Sequence, residues 1–115
     1  MLPNNTFRDM YIDGYPSLEG RAIFTCSQPG NTDAAIILLD QPVVDEISTL
    51  AKQNYLIRTR ADAEFHIDKQ RIENALASGA HIISTDFPPG EPDIESGHIL
   101  TFDDGKTVRL NPLFK

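Results

Sequence analysis

Cysteine is almost absent from this chain: Cys26 stands alone among 115 residues. It has no internal partner for a disulfide, and with neither a second cysteine nor paired histidines around it a zinc site has no basis. Positive charge is also scarce. The 10 Lys and Arg against 17 Asp and Glu leave a formal net charge of -7, and the basic residues are scattered. That argues against a nucleic-acid backbone or a bare anionic membrane surface as the main partner, since either calls for a clustered basic face. No apolar run approaches the roughly 20 residues that span a bilayer, so no transmembrane segment is expected. Met1–Arg8 shows no basic region leading into an apolar core, so no signal peptide is expected in it. Nothing is low-complexity. A composition that is 40% hydrophobic and 23% charged is that of a globular protein, and a chain of this length carries one domain at most.

Along the chain, Asp13-Gly14 and Tyr15-Pro16-Ser17 mark residues 1–20 as an irregular lead-in. Arg21–Cys26 is short and mostly apolar without strict alternation, which predicts a parallel strand buried on both faces, ended by Ser27–Gly30. Cys26 then reads as a small buried strand residue. Asp33–Leu39 is apolar but too short to choose between strand and helix. From Pro42 the period changes: Val43, Ile47 and Leu50 lie at i, i+4 and i+7, and Asp45 and Glu46 suit the positive end of a helix running to Gln53. Asn54 takes the left-handed stop, and Tyr55–Arg60 is a second strand. Asp68 offers an N-cap, Ile72, Ala75 and Leu76 form an apolar stripe, and Gly79 ends that helix before a third strand, His81–Asp86.

Strand, helix, strand, helix, strand is the grammar of two successive right-handed βαβ units in a parallel sheet. Beyond Phe87–Gly90 it changes. His98–Phe102 and Thr107–Leu110 flank Asp104-Gly105, and an Asp-Gly pair between two β-rich runs predicts an antiparallel hairpin, a lid or edge piece.

Parallel α/β proteins place their chemistry beyond the C-terminal ends of their strands, and there the second strand carries Arg58 and Arg60 while the third carries Thr85 and Asp86. The two arginines share a parity and project to one side, Arg60 nearer the C-terminal end. An inward guanidinium is costly without an anion, which is either a bound ligand or a carboxylate of Asp62, Glu64 or Asp86. The Thr85 hydroxyl suits a ligand contact. The Asp86 carboxylate suits either an orienting partner for Arg60 or a cap on the loop before Phe87. Thr25, at the end of the expected first strand, reads as core or loop. His81 begins its strand at the opposite edge, His98 falls in the hairpin, and His66 reads as an exposed loop residue because no acidic orienter is placed for it. Asp103 and Asp104 lack the spacing of a calcium loop and belong to the turn.

Four segments in fixed order, Tyr15–Phe24, Asp33–Ala35 with Leu39–Pro42, Tyr55–Ala63 and Ala75–Pro88, together resemble the C-terminal part of the calcium-dependent, phosphoinositide-specific phospholipase C-like family. Asn111-Pro112 resembles that family's ending, and the likeness covers most of the chain. It implies an α/β fold, the C-terminal βα units of a TIM-barrel-type phosphodiesterase with an added hairpin. On that view residues 1–115 are a single domain or a fragment, and the rest of the barrel is missing upstream. It further implies phosphoric diester hydrolysis by the intact parent, a phosphoinositide or related phosphodiester as substrate, and Ca2+ in the parent with none bound by this chain. The family's two catalytic histidines and its calcium ligands come from early strands that the matched segments do not include, so no catalytic residue is carried over. The contribution expected here is substrate contact from Arg58, Arg60, Thr85 and Asp86, because an arginine fork meets a phosphate through two parallel hydrogen bonds. A glycerophosphodiester phosphodiesterase fragment, whose last strand also resembles Thr85–Pro88, and a small non-catalytic α/β binding module are the alternatives.

Overall fold

The local signals that predict two helices produce them. In a computed structural model, which describes residues 6–114, α1 spans Thr6–Ile12, β1 Ile36–Leu39, α2 Val44–Lys52, β2 Leu56–Arg60, α3 Lys69–Ala77 and β3 Ile82–Ser84. Asp45 and Glu46 occupy the first turn of α2 and Lys52 its last, each complementing the helix dipole. Asn54 then takes a left-handed φ of 70°. At α3 the Asp68 carboxylate accepts the Arg71 amide at 3.2 Å, closing the N-terminus as a cap should. Gly79 ends the turn at φ 80°, and a Cβ there would lie 3.1 Å from Leu113, so glycine serves both the backbone and the close return of the C-terminal segment.

The three strands form one parallel sheet in the order β1-β2-β3. Register pairs Leu38 with Arg58, Arg58 with Ile82, and Arg60 with Ser84. Both crossovers run through helices, so α2 and α3 cover one face. Ile37 and Ile57 meet Ile47 and Ala51 there in a buried cluster, with Leu39, Leu50, Tyr55 and Leu113 packed around it. The other face is open: Leu38, Leu56 and Ile82 each remain about half exposed. This is the expected α/β architecture with parallel strands. Among the described residues no helix is long and apolar enough to cross a membrane.

Four expectations are corrected. The first strand is Ile36–Leu39, in the run that periodicity left open, whereas Arg21–Cys26 lies outside the sheet with Ile23 and Phe24 exposed. The polar groups of this segment are taken up elsewhere: the Ile23 amide donates to the Tyr11 hydroxyl at 2.8 Å and Arg21 Nε to the Tyr11 carbonyl at 2.9 Å. Cys26 is consequently exposed, not a buried strand residue. The lead-in contains α1, although its first five residues lie outside the described part. The C-terminal hairpin does not form. Asp104 and Gly105 do make a left-handed turn, closed by the Phe102 amide on the Lys106 carbonyl at 2.8 Å, but the flanks then part. The Leu100 amide is spent on the Phe87 carbonyl at 2.8 Å, Arg109 donates to the Leu76 carbonyl, and Asn111 donates to the Gly79 carbonyl at 2.8 Å. The chain is thus drawn back onto the junction of α3 and β3.

Helix α1 is fastened by one buried carboxylate. Arg8 reaches Asp33 with Nη2 at 2.7 Å and Nε at 3.0 Å, while the hydroxyls of Ser27 and Thr25 donate to the same Asp33 side chain at 2.5 and 2.6 Å. Burial by itself would raise the Asp33 carboxyl. The hydrogen bonds from Arg8, Ser27 and Thr25 outweigh it and hold the group well below the ordinary carboxylate range. A depressed folded-state value means stabilisation that is present above the unfolded carboxylate pKa and lost as pH falls through the folded one. Asp33→Asn should therefore lower stability at neutral pH by about 1.5–3 kcal/mol, the worth of hydrogen bonds to a charged group. The gap in melting temperature to wild type should hold down to about pH 4 and narrow only in stronger acid. Coincident melting curves at neutral pH would show that the cluster fastens nothing.

Candidate functional site: two arginines at the open sheet edge

Even-numbered residues of β2 turn away from the helices, so Arg58 and Arg60 share the open face with Ser84 of β3. Arg58 is held at two points: Nε donates to Ser84 Oγ at 2.9 Å and Nη1 to Asp40 Oδ1, just past β1, at 2.8 Å. Arg60 is held more loosely. Its Nη2 donates to Asp86 Oδ1 at 3.3 Å, and its Nε is buried with no hydrogen-bond partner among the described residues. A buried donor without an acceptor is a rare and unfavourable state, and it lies on the guanidinium edge that a bidentate anion would use. Asp86 spends its second oxygen on the Phe65 amide at 3.1 Å, so it both orients Arg60 and caps the loop after β2.

Thr85 has the opposite parity and does not join the arginines. Its hydroxyl donates to Asp62 Oδ2 at 2.5 Å and accepts the Phe87 amide at 3.0 Å. Asp62 is completely buried, and its other oxygen accepts the Asp86 amide at 2.6 Å. Rather than pairing with an arginine, this carboxylate fixes the turn that aims Asp86. Parity along the strand would send Asp62 to the open face with Arg58 and Arg60. The ladder ends at Arg60, however, and the chain turns before Asp62 is reached. Arg71 is the second determinant that sequence reasoning missed. From α3 it donates Nη2 to the Asp40 carbonyl at 2.7 Å and Nε to the Arg60 carbonyl at 3.2 Å, drawing together the ends of β1 and β2. Its only sequence signal is its place in the first turn of a helix that starts beside those ends.

The remaining candidates fall outside this constellation. Thr25 belongs to the Asp33 cluster. His66 is exposed in its loop. His81 accepts the Ile57 amide on Nδ1 at 3.2 Å at the opposite edge, and His98 meets Phe87 edge-on at 5.6 Å. Beside Asp86 a cleft of about 560 Å³ is lined by Phe65, Phe87, Glu91, Asp93 and Ile94 among others, and neither arginine lines it. Among the described residues no three of His, Cys, Asp and Glu converge as a metal-binding group. An unpaired guanidinium donor has the chemistry of an anion contact.

The family described as phosphoinositide phospholipase C, Ca2+-dependent, matches residues 1–112, and the chain belongs to it. No curated protein and no solved structure gives a significant match. The calcium in that description finds no fitting donor set among the described residues.

Removing the Asp62 carboxylate tests the aiming of Asp86. Asp62→Ala leaves the Thr85 hydroxyl and the Asp86 amide without their acceptor, and stability should fall by about 1.5–3 kcal/mol. Amide exchange should accelerate at Asp86 and Phe87 more than at the β2 amides. Protection that drops equally everywhere, or not at all, would mean that Asp62 does not govern this turn.

Proposed function

We propose that this chain is the C-terminal part of a phosphoinositide-specific phospholipase C-like phosphoric diester hydrolase, in which Arg60, with Arg58 behind it, contacts the phosphate or inositol of the substrate. The observation that carries the reading is the unpartnered, buried Nε of Arg60 on the open sheet face. Family membership supplies the class of substrate. On this reading β1, β2 and β3 are three strands of a TIM-type barrel, the open face is turned to its interior, and the free strand edges are covered by strands outside this chain. A phosphate on the Arg60 edge takes up the orphan donor and disperses the charge that develops on the non-bridging oxygens as the P–O bond breaks. Asp86 keeps the guanidinium in plane, and Thr85 and Asp62 act through Asp86 by holding its backbone. The groups that move protons, and the calcium that the family description names, belong to parts of the enzyme outside this chain.

Two outcomes follow from this division of labour. The 115-residue chain alone should not cleave phosphatidylinositol, with or without added calcium, and turnover above that of an Arg60→Ala control would overturn the assignment. In the enzyme that contains this chain, Arg60→Lys should be nearly as harmful as Arg60→Ala, because lysine keeps the charge and loses the fork. A charge-assisted hydrogen bond contributes about 1.5–3 kcal/mol, so kcat/KM should fall by one to two orders of magnitude while the melting temperature changes little. Lowered melting with wild-type turnover would make Arg60 a purely structural partner of Asp86.

A further inference from the structure

Arg71 carries a positive charge where a helix disfavours one. It lies three residues after the Asp68 cap, in a first turn of α3 that contains no acidic residue. A cation at this end opposes the helix dipole, so the helix itself does not account for the guanidinium. The sheet does. The β1–β2 ladder ends at the pair of Leu39 with Thr59, and in the same register Asp40 and Arg60 come next. Arg71 spans these two residues from the helix side, with Nη2 on the Asp40 carbonyl at 2.7 Å, Nε on the Arg60 carbonyl at 3.2 Å and Nη1 on Gln41 Oε1 at 3.3 Å. Two nitrogens of one rigid, planar group thus hold two strand ends at a fixed separation, as a further rung of the ladder would.

Each strand end that it holds bears on one of the two arginines of the open face. Asp40 accepts Arg58 Nη1 on Oδ1 at 2.8 Å, yet its side chain is 67% exposed, so the place of that carboxylate depends on the backbone behind it. Arg60 is gripped at its own carbonyl. We propose that Arg71 is a positioning residue for the substrate phosphodiester: by bridging Asp40 and Arg60 it sets the distance between the Arg58 and Arg60 guanidinium groups, and it touches no substrate itself. Its side chain lines a separate cleft of about 400 Å³ with Gln41, Pro42 and Val43, between the starts of α2 and α3. That the positioned groups meet a phosphodiester rests on the reading of Arg60 as a phosphate contact. The bridge and its effect on both arginines do not.

Arginine Nε–H signals in proton–nitrogen NMR spectra of the 115-residue chain read the bridge without any activity. Arg71→Met should displace the Arg58 and Arg60 signals and leave that of Arg8, whose Nε is held by Ser27 and Asp33. Lys69→Met, which removes the other cation of the same helical turn, should leave all three in place. Arg71→Lys keeps the charge but offers one nitrogen to two carbonyls, so it should displace the same two signals, and it carries the test if Arg71→Met does not fold. In the enzyme that contains this chain, Arg71→Met should lower kcat/KM by about tenfold to a hundredfold, the scale of a misplaced contact. That loss should shrink when Arg60 is already alanine, whereas the fall in melting temperature should be equal in both backgrounds. The proposal is overturned by unmoved Arg58 and Arg60 signals, or by equal displacement at Arg8 or in Lys69→Met. It is equally overturned if Arg71→Met keeps wild-type kcat/KM where Arg60→Ala is impaired, or if its loss is undiminished in the Arg60→Ala background. An Arg60→Ala enzyme with wild-type kcat/KM refutes the phosphate reading of Arg60 instead, and the signals of the two arginines then decide the bridge on their own.

Discussion

Alternation along β2 is the constraint on which the rest depends. Ile57, Thr59 and Ala61 point toward the helices and are completely buried, while Leu56, Arg58 and Arg60 point the other way. A slip of one residue would drive two guanidinium groups into the cluster of Ile37, Ile47 and Ala51 and put Ile57 in water, so register is strongly specified. As the central strand, β2 passes this parity to both neighbours, and Leu38, Ile82 and Ser84 line up beside its arginines. The arrangement has a cost at Thr59, whose hydroxyl is buried without a hydrogen-bond partner among the described residues. The strand keeps a β-branched side chain there at the expense of one unsatisfied polar group.

What could be read from the sequence is what local chemistry decides. Both covering helices and the left-handed stops at Asn54 and Gly79 follow from period, caps and turn residues acting over a few positions, and so do the parallel strands β2 and β3. The first strand did not, because Arg21–Cys26 and Ile36–Leu39 are similarly apolar and only pairing with β2 decides between them. The Asp33 cluster ties down Thr25 and Ser27 through side chains, leaving the run before them outside the sheet. Helix α1 is too short to be stable from propensity alone and rests on Arg8, a contact spanning 25 residues. At the C-terminus the Asp104-Gly105 turn forms as its residues dictate, yet a turn makes a hairpin only if its flanks have no better partners. Here Phe87, Leu76 and Gly79 provide them.

The site divides in the same way. Parity alone joins Arg58 and Arg60, and Asp86 follows at the end of the next strand. Asp62 escapes the rule because parity holds only while the ladder continues, and its side chain is captured by Thr85 and the Asp86 amide once the chain has turned. Arg71 escapes for a different reason: its acceptors are main-chain carbonyls at two strand ends, which no pattern of side-chain types encodes.

The two arginines differ through their neighbours more than through their depth. Arg58 spends Nε on Ser84 and Nη1 on Asp40, which ties it to both neighbouring strands. Arg60 has a single-toothed contact to Asp86, whose second oxygen accepts the Phe65 amide. The Asp86 carboxylate is thus divided between Arg60 Nη2 and the Phe65 loop, and the buried Nε of Arg60 has no acceptor among the described residues. The left-handed backbone at Glu64 and Phe65 is the counterpart of that division, since it carries the amide that holds the second oxygen of Asp86.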